Sequence, residues 1–252
     1  MLANTLILIF STDYHIACSY NCEQYFKHDT TPPSAYPSFM STPFVPSSTK
    51  FISTAEELQI SQNTARMLDD MRFLITAVMD QIDAEPSEQE KIKLKETSTW
   101  TQNLISPLPD ESEFGEPSAI DFVFKSCRIA ALIYCKAIID RISLAEACTL
   151  VDLNNLWANM WHVKLSRWKQ IPGIFLFVIL SAIPACQATP HGRFLKSMFK
   201  ATSSYISLGY WDVVDGTLMS FVKLQRWLKN ETVEVVGSTN PPPKEFFHIY
   251  DL

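Results

Sequence analysis

Residues Ser166–Gln187 read SRWKQIPGIFLFVILSAIPACQ. Such a run can cross a bilayer, line a ligand pocket or sit at the centre of a soluble fold, and its length decides among them. Ile171 to Cys186 spans sixteen residues without a charge, whereas a membrane-spanning helix needs about twenty. Pro172 suits a first helical turn, where its missing N–H would be unpaired anyway, and Pro184 closes the run. A short helix that is apolar on every side belongs at the centre, with neighbours all round it.

Those neighbours are legible outward from it as helical stripes. Gly192–Leu208 sets Leu195, Met198 and Thr202 opposite Arg193, Lys196 and Lys200, and Gly209 offers a C-terminal stop. Trp211–Leu228 repeats Val214, Leu218, Phe221, Gln225 and Leu228 at helical spacing. On the other side, Ser143-Leu144-Ala145-Glu146 is a capping-box pattern. It predicts a helix start that carries Leu150, Leu153, Trp157, Met160 and Trp161 toward the core. Ala119–Arg141 is apolar nearly all round, with its tightest stripe at Val123, Cys127, Ala130, Tyr134 and Ala137. Thr64–Asp83 carries Leu68, Met71, Ile75, Val78 and Ile82 on one face. Between these two, Glu88–Asn103 is polar and weakly periodic, and Pro107, Pro109 and Pro117 break the chain after it. No window alternates with period two, so the expectation is an all-α, single multi-helix domain of about six to eight helices with apolar central helices.

At 252 residues, 47% apolar and with 6 glycines, the chain has material for one large core. A net charge of −6 argues against phosphate neutralisation as its main task. Charge is uneven: Thr54–Glu146 holds 17 Asp/Glu against 9 Lys/Arg, and Val151–Lys229 holds 3 against 9. The two halves are expected to face each other, or the basic half an acidic partner. Six cysteines at 18, 22, 127, 135, 148 and 186 are too scattered for a disulfide scaffold, which favours a reducing compartment. Leu6–Phe10 is apolar, but no Lys or Arg precedes Lys27, so a secretory signal is not expected. The Pro/Ser/Thr-rich stretch 29–49 predicts a disordered arm over 1–53, and three prolines in succession predict an extended tail over 230–252. The helical domain is placed at 54–229.

Few residue groups suggest chemistry. His15, Cys18, Cys22 and His28 do not follow a usual structural zinc spacing, and no metal or cofactor is expected. Asp69 and Asp70 project about 100° apart on a helix and cannot act as an acid–base pair on one ligand. His162 and His191 have no nucleophile or carboxylate at a recognisable spacing, so no catalytic residue is assigned. Arg193, Lys196 and Lys200, with Lys164, Arg167 and Lys169, form a basic face without a base-reading signature. Trp157, Trp161, Trp168, Trp211 and Trp227 read either as core or as the lining of a small-molecule cavity.

Four blocks together carry a resemblance: ARMLDDMRFLITAV (65–78), FKSCRIAALIYCKAI (124–138), RWKQIPGIFLFVILSAIPA (167–185) and GRFLKSMFKATSSYISLGYWDVVDGTLMSFVKLQRWL (192–228). In order and approximate spacing they resemble the regulatory domain of fungal-specific zinc-cluster transcription factors. The matched positions are Trp168, Lys169, Pro172, Gly173, Gly192, Arg193, Phe194, Arg226 and Trp227. In that family the region follows a six-cysteine, two-zinc DNA-binding module; here only Cys18 and Cys22 precede the domain, and the flanking basic residues are missing.

The resemblance implies a non-enzymatic regulator of transcription, nuclear or nucleocytoplasmic, that acts through transcriptional proteins or a small effector. Neither sequence-specific DNA contact through a zinc cluster nor a membrane is expected. Two alternatives stand beside it. One is a small-molecule-binding protein or enzyme with a Trp-lined cavity around His162 and His191, and the other is a truncated gene product.

Overall fold

The computed structural model describes residues 2–26, 36–84, 86–108, 118–186 and 189–233. Its elements are α1 (Leu2–Tyr20), α2 (Phe51–Thr54), α3 (Gln62–Asp83), α4 (Glu88–Ile105), α5 (Ala119–Asp140), α6 (Leu144–Ala147), α7 (Leu150–His162), α8 (Leu165–Trp168), α9 (Pro172–Ala182) and α10 (Pro190–Val233). Tight 3-10 turns lie at Ser38–Met40 and Ile183–Ala185. The protein is all-α, with one core and no strand among the described residues. No described helix is long and apolar enough to cross a membrane. The ten helices exceed the expected number because α2, α6 and α8 are single turns of four residues.

The innermost element is α9, as its composition demands. Every residue from Pro172 to Ala182 is buried, and Pro172 occupies the first turn. α5, α10 and the Ser38–Met40 turn enclose it. Its central aromatic, Phe177, stands 5.2 Å from Tyr134 of α5, and the Tyr134 hydroxyl donates to the Phe177 carbonyl at 3.1 Å. Phe44 completes the cluster, with its ring 5.6 Å from Tyr134, 6.2 Å from Phe177 and 5.8 Å from Phe221 of α10. The Phe44–Tyr134 and Phe44–Phe221 pairs are edge-to-face, an arrangement that adds about 0.5–1.5 kcal/mol per pair beyond the area it buries.

Phe44 lies in the stretch that composition assigns to a disordered arm, and here the expectation is corrected. Met40, Phe44, Val45 and Phe51 are all core residues. The polar backbone between them is satisfied from α3. The Arg72 guanidinium donates to the carbonyls of Thr49 at 2.8 Å and Thr42 at 3.4 Å, and stacks over the Phe51 ring at 4.3 Å. Asp69 accepts the backbone N–H groups of Phe51 and Ile52 at 2.9 and 3.0 Å, so this carboxylate caps α2. Residues 2–20 are also not an arm. They form α1, which buries Tyr14, Ala17 and Cys18 against α10. Gln225 donates to the Cys18 carbonyl at 3.2 Å, and Trp211 stacks on Phe10 at 6.0 Å. Residues 27–35, which include His28, lie outside the described residues, as does most of the expected tail; helix α10 continues to Val233.

Two further boundaries differ from expectation for local reasons. The helix begun by the Ser143–Glu146 capping box ends at Cys148, where ψ is 101°. Thr149 and Asp152 then form a second capping box that starts α7 in a new direction. Leu153 and Met160 consequently reach the core, whereas Leu150 and Trp161 are each 62% exposed. In α10 the break expected at Gly209 falls one residue later, at Tyr210 (φ −142°, ψ 48°), which divides the element into two helical halves. α4 buries Leu94, Ser98, Thr101 and Ile105 at helical spacing, so half of its inward stripe is polar. That explains its weak period in sequence.

Close approach fixes one glycine. A Cβ on Gly173 would sit 2.3 Å from the carbonyl oxygens of Met40 and Ser41, both backbone atoms that cannot swing aside. Gly173→Ala is therefore expected to destabilise by about 1–3 kcal/mol. Gly209→Ala, with nothing within 4 Å of the added methyl, should change stability by less than about 1 kcal/mol. Urea midpoints at unchanged m-value report both.

Candidate functional site

The positions named in the resemblance stand at separate places on the fold. Trp168 ends α8 with its side chain buried, its indole N–H donating to the Met160 carbonyl at 3.3 Å and its ring 5.5 Å from Phe175. Gln170 and Ile171 turn the chain, and Pro172 and Gly173 open α9. Lys169 places its ammonium 5.4 Å from the Tyr205 ring. A pocket of about 490 Å³ lies beside it, lined by Lys169, Pro172, Tyr205 and Gly209. Gly192 lies near the start of α10, beyond the other end of α9. Its N–H donates to the Thr189 hydroxyl at 2.9 Å, and a Cβ there would meet the Cys186 carbonyl oxygen at 2.6 Å. Arg193 is exposed, while Phe194 packs edge-on to Trp161 at 5.3 Å.

Arg226 and Trp227 lie away from these, in the second half of α10, where they line a groove of about 780 Å³. Four elements converge on it: the end of α3 with Ile82, the first turns of α4 with Lys91, Ile92 and Lys95, the end of α5 with Ile139 and Arg141, and α10 with Lys223, Arg226 and Trp227. Arg141 terminates α5 in the left-handed conformation at φ 52°, a region that disfavours side chains other than glycine. Its guanidinium lies 3.3 Å from the centre of the Trp227 ring, a cation–π contact that holds both on the wall of the groove. Lys91 pairs with Glu88 at 2.7 Å, and Lys223 with Asp83 at 3.0 Å. The second of these pairs joins the acidic half of the chain to the basic half. Neither Lys95 nor Arg226 has a carboxylate partner among the described residues, and the Arg226 Nε is buried without an acceptor.

Trp157, Trp161, Trp168, Trp211 and Trp227 do not surround one cavity, and this corrects the Trp-lined alternative. Trp168 is core, Trp211 covers α1, and Trp227 belongs to the groove. Trp157 and Trp161 stack on each other at 6.0 Å on the outer face of α7. His191 stacks on Trp157 at 3.9 Å and hydrogen-bonds Asn154 through Nδ1 at 3.1 Å. His162 stacks on Phe122 at 4.5 Å and bonds the Ala158 carbonyl at 2.7 Å. Both histidines are held by neighbours of a structural kind. The basic face is likewise partly consumed by packing. Arg167 donates to the carbonyls of Leu58 and Gln59, and Lys196 covers the Tyr20 ring at 4.8 Å. Among the described residues no three His, Cys, Asp or Glu side chains gather as metal ligands.

Sequence reasoning missed the groove itself. Lys91, Ile92, Lys95 and Arg141 stand on segments with weak or terminal patterns, and nothing in their spacing links them to Arg226. The signal that could have found them is Ile92, a large apolar residue on an otherwise charged helix face, which is 58% exposed.

Comparison with family models, with curated proteins and with solved structures returns no match to this chain.

The cysteines are all free, and only Cys22 is exposed. Burial pushes the Cys135, Cys148 and Cys186 thiols up to about 12, which leaves them unsuited as nucleophiles at neutral pH. In the unfolded chain the same thiols ionise near pH 8.5. Above that pH the folded state holds more protons than the unfolded state, so stability falls as pH rises, by about 1.4 kcal/mol per pH unit for each thiol until pH nears 12. Urea midpoints should accordingly drop between pH 8 and pH 10. A thiol reagent at pH 7.5 should label Cys22 quickly and the other five only on denaturation; fast labelling of several would contradict their burial.

Proposed function

We propose that this chain is a regulatory-like domain of the kind found in fungal-specific zinc-cluster transcription factors: non-enzymatic, nuclear, and working through contacts with transcriptional proteins or through a small effector. The observation that carries the reading is the four-block resemblance, in which Trp168–Gly173, Gly192–Phe194 and Arg226–Trp227 stand in the order expected of that family.

What supports it physically is where those residues stand. Trp168, Pro172 and Gly173 shape the entry to the central helix, Gly192 is packed on the Cys186 backbone, and Trp227 is stacked by Arg141. A motif made of joints and packing partners belongs to a domain that transmits contacts, since none of its members presents a nucleophile, an acid–base pair or a metal ligand. The effector form of the reading draws on the groove. Its volume of about 780 Å³ lies within the range of small-molecule sites.

The test is to tether the full chain to an operator through a heterologous DNA-binding domain in a fungal host, with a reporter downstream. The expected result is altered reporter output that depends on the tethered chain, with the untethered protein accumulating in nuclei. Unchanged output together with exclusion from nuclei would overturn the proposal.

A further inference from the structure

The groove between α3, α4, α5 and α10 combines three properties. Part of its wall is apolar, formed by Ile82, Ile139 and the ring of Trp227, and Ile92 at its edge is more than half exposed although α4 has a charged face available to solvent. Its charge is one-sided, with Lys91, Lys95, Arg141, Lys223 and Arg226 against Glu88 and Asp140. Part of that positive charge is uncommitted. Lys91 and Lys223 are neutralised by Glu88 and Asp83, whereas Lys95 and Arg226 meet no carboxylate among the described residues, and the Arg226 Nε is a buried donor lacking an acceptor.

A buried donor left unmet is costly, and a cationic guanidinium beside an apolar wall is matched best by an anion that brings an apolar body with it. We propose that this groove is a binding site for an amphipathic monocarboxylate. The apolar body lies along Ile82, Ile92, Ile139 and Trp227, and the carboxylate is received by Arg226 and Lys95. Arg141 serves as the positioning residue, because its guanidinium fixes the plane of the Trp227 ring on which the body packs. A doubly charged small anion such as phosphate would leave the apolar wall wet. A neutral lipid would leave Arg226 as it is.

This inference rests on the effector-sensing form of the function proposed above, and the two can fail separately. Isothermal titration of the full chain uses decanoate and indole-3-acetate as aliphatic and aromatic probes, with decanamide and acetate lacking in turn the charge and the body. At least one of the two carboxylates should bind, and decanamide and acetate should bind at least about tenfold more weakly, the loss expected when a charged hydrogen-bond partner or the apolar contact is removed. Arg226→Gln should weaken the carboxylate by a similar factor. Ile92→Asp, at an exposed position that the fold does not need, should do so even if the Arg226 variant does not fold. Trp161→Ala on the far aromatic face should bind as the parent does. Absence of binding by both carboxylates, equal binding of decanamide, or full affinity in a folded Ile92→Asp protein would each overturn the proposal. Carboxylate binding without any effect of the tethered chain on transcription would leave the site standing and remove the regulatory reading; the reverse pattern would do the opposite.

Discussion

A helix of eleven residues with no polar side can be hidden only if something covers every side of it, and two neighbouring helices leave gaps. α9 imposes this requirement on the remainder of the fold. α5 and α10 take two flanks, and the backbone of Met40 and Ser41 takes a third so closely that position 173 has no room for a methyl group. Phe44 then fills the space where α5, α9 and α10 meet. Remove the covering segment and the most apolar helix of the protein would face water along its length, which is why a stretch of prolines and serines is fastened so firmly by Arg72 and Asp69.

The legibility of the fold in the sequence divides by the kind of signal each element carries. α3, α5, α9 and both halves of α10 repeat apolar residues every three or four positions, and such repetition survives in sequence because each turn buries the same face. The Pro37–Phe51 segment repeats nothing. Its anchors, Met40, Phe44, Val45 and Phe51, are placed singly by turns, and their partners are two polar residues of α3 that carry no mark of their role. α1 escapes notice for a related reason. Its hydrophobic residues lie on all sides, so the face that meets Tyr14's neighbours on α10 does not stand out from the face that is exposed.

The candidate site was half legible. Arg226 and Trp227 stand on a strongly periodic helix, while the residues opposite them are contributed largely by helix ends, where periodicity fades. Arg141 is instructive: as a sequence position it reads as the last residue of a helix, yet its left-handed backbone turns the side chain onto an indole 86 positions further on. Grooves assembled from the ends of several helices are determined by how the chain packs, and no local pattern foretells them.

The docking of α1 also bears on how the protein is made. Tyr14 is buried beside Asp215, and Gln225 reaches the Cys18 carbonyl across 207 positions of chain. A ribosome adding about 5–20 residues each second needs on the order of 10–40 seconds to deliver the second surface after the first. Throughout that interval α1 lacks the face of α10 on which it docks. The docking of α1 therefore follows the synthesis of α10, the element that carries most of the surface it rests on.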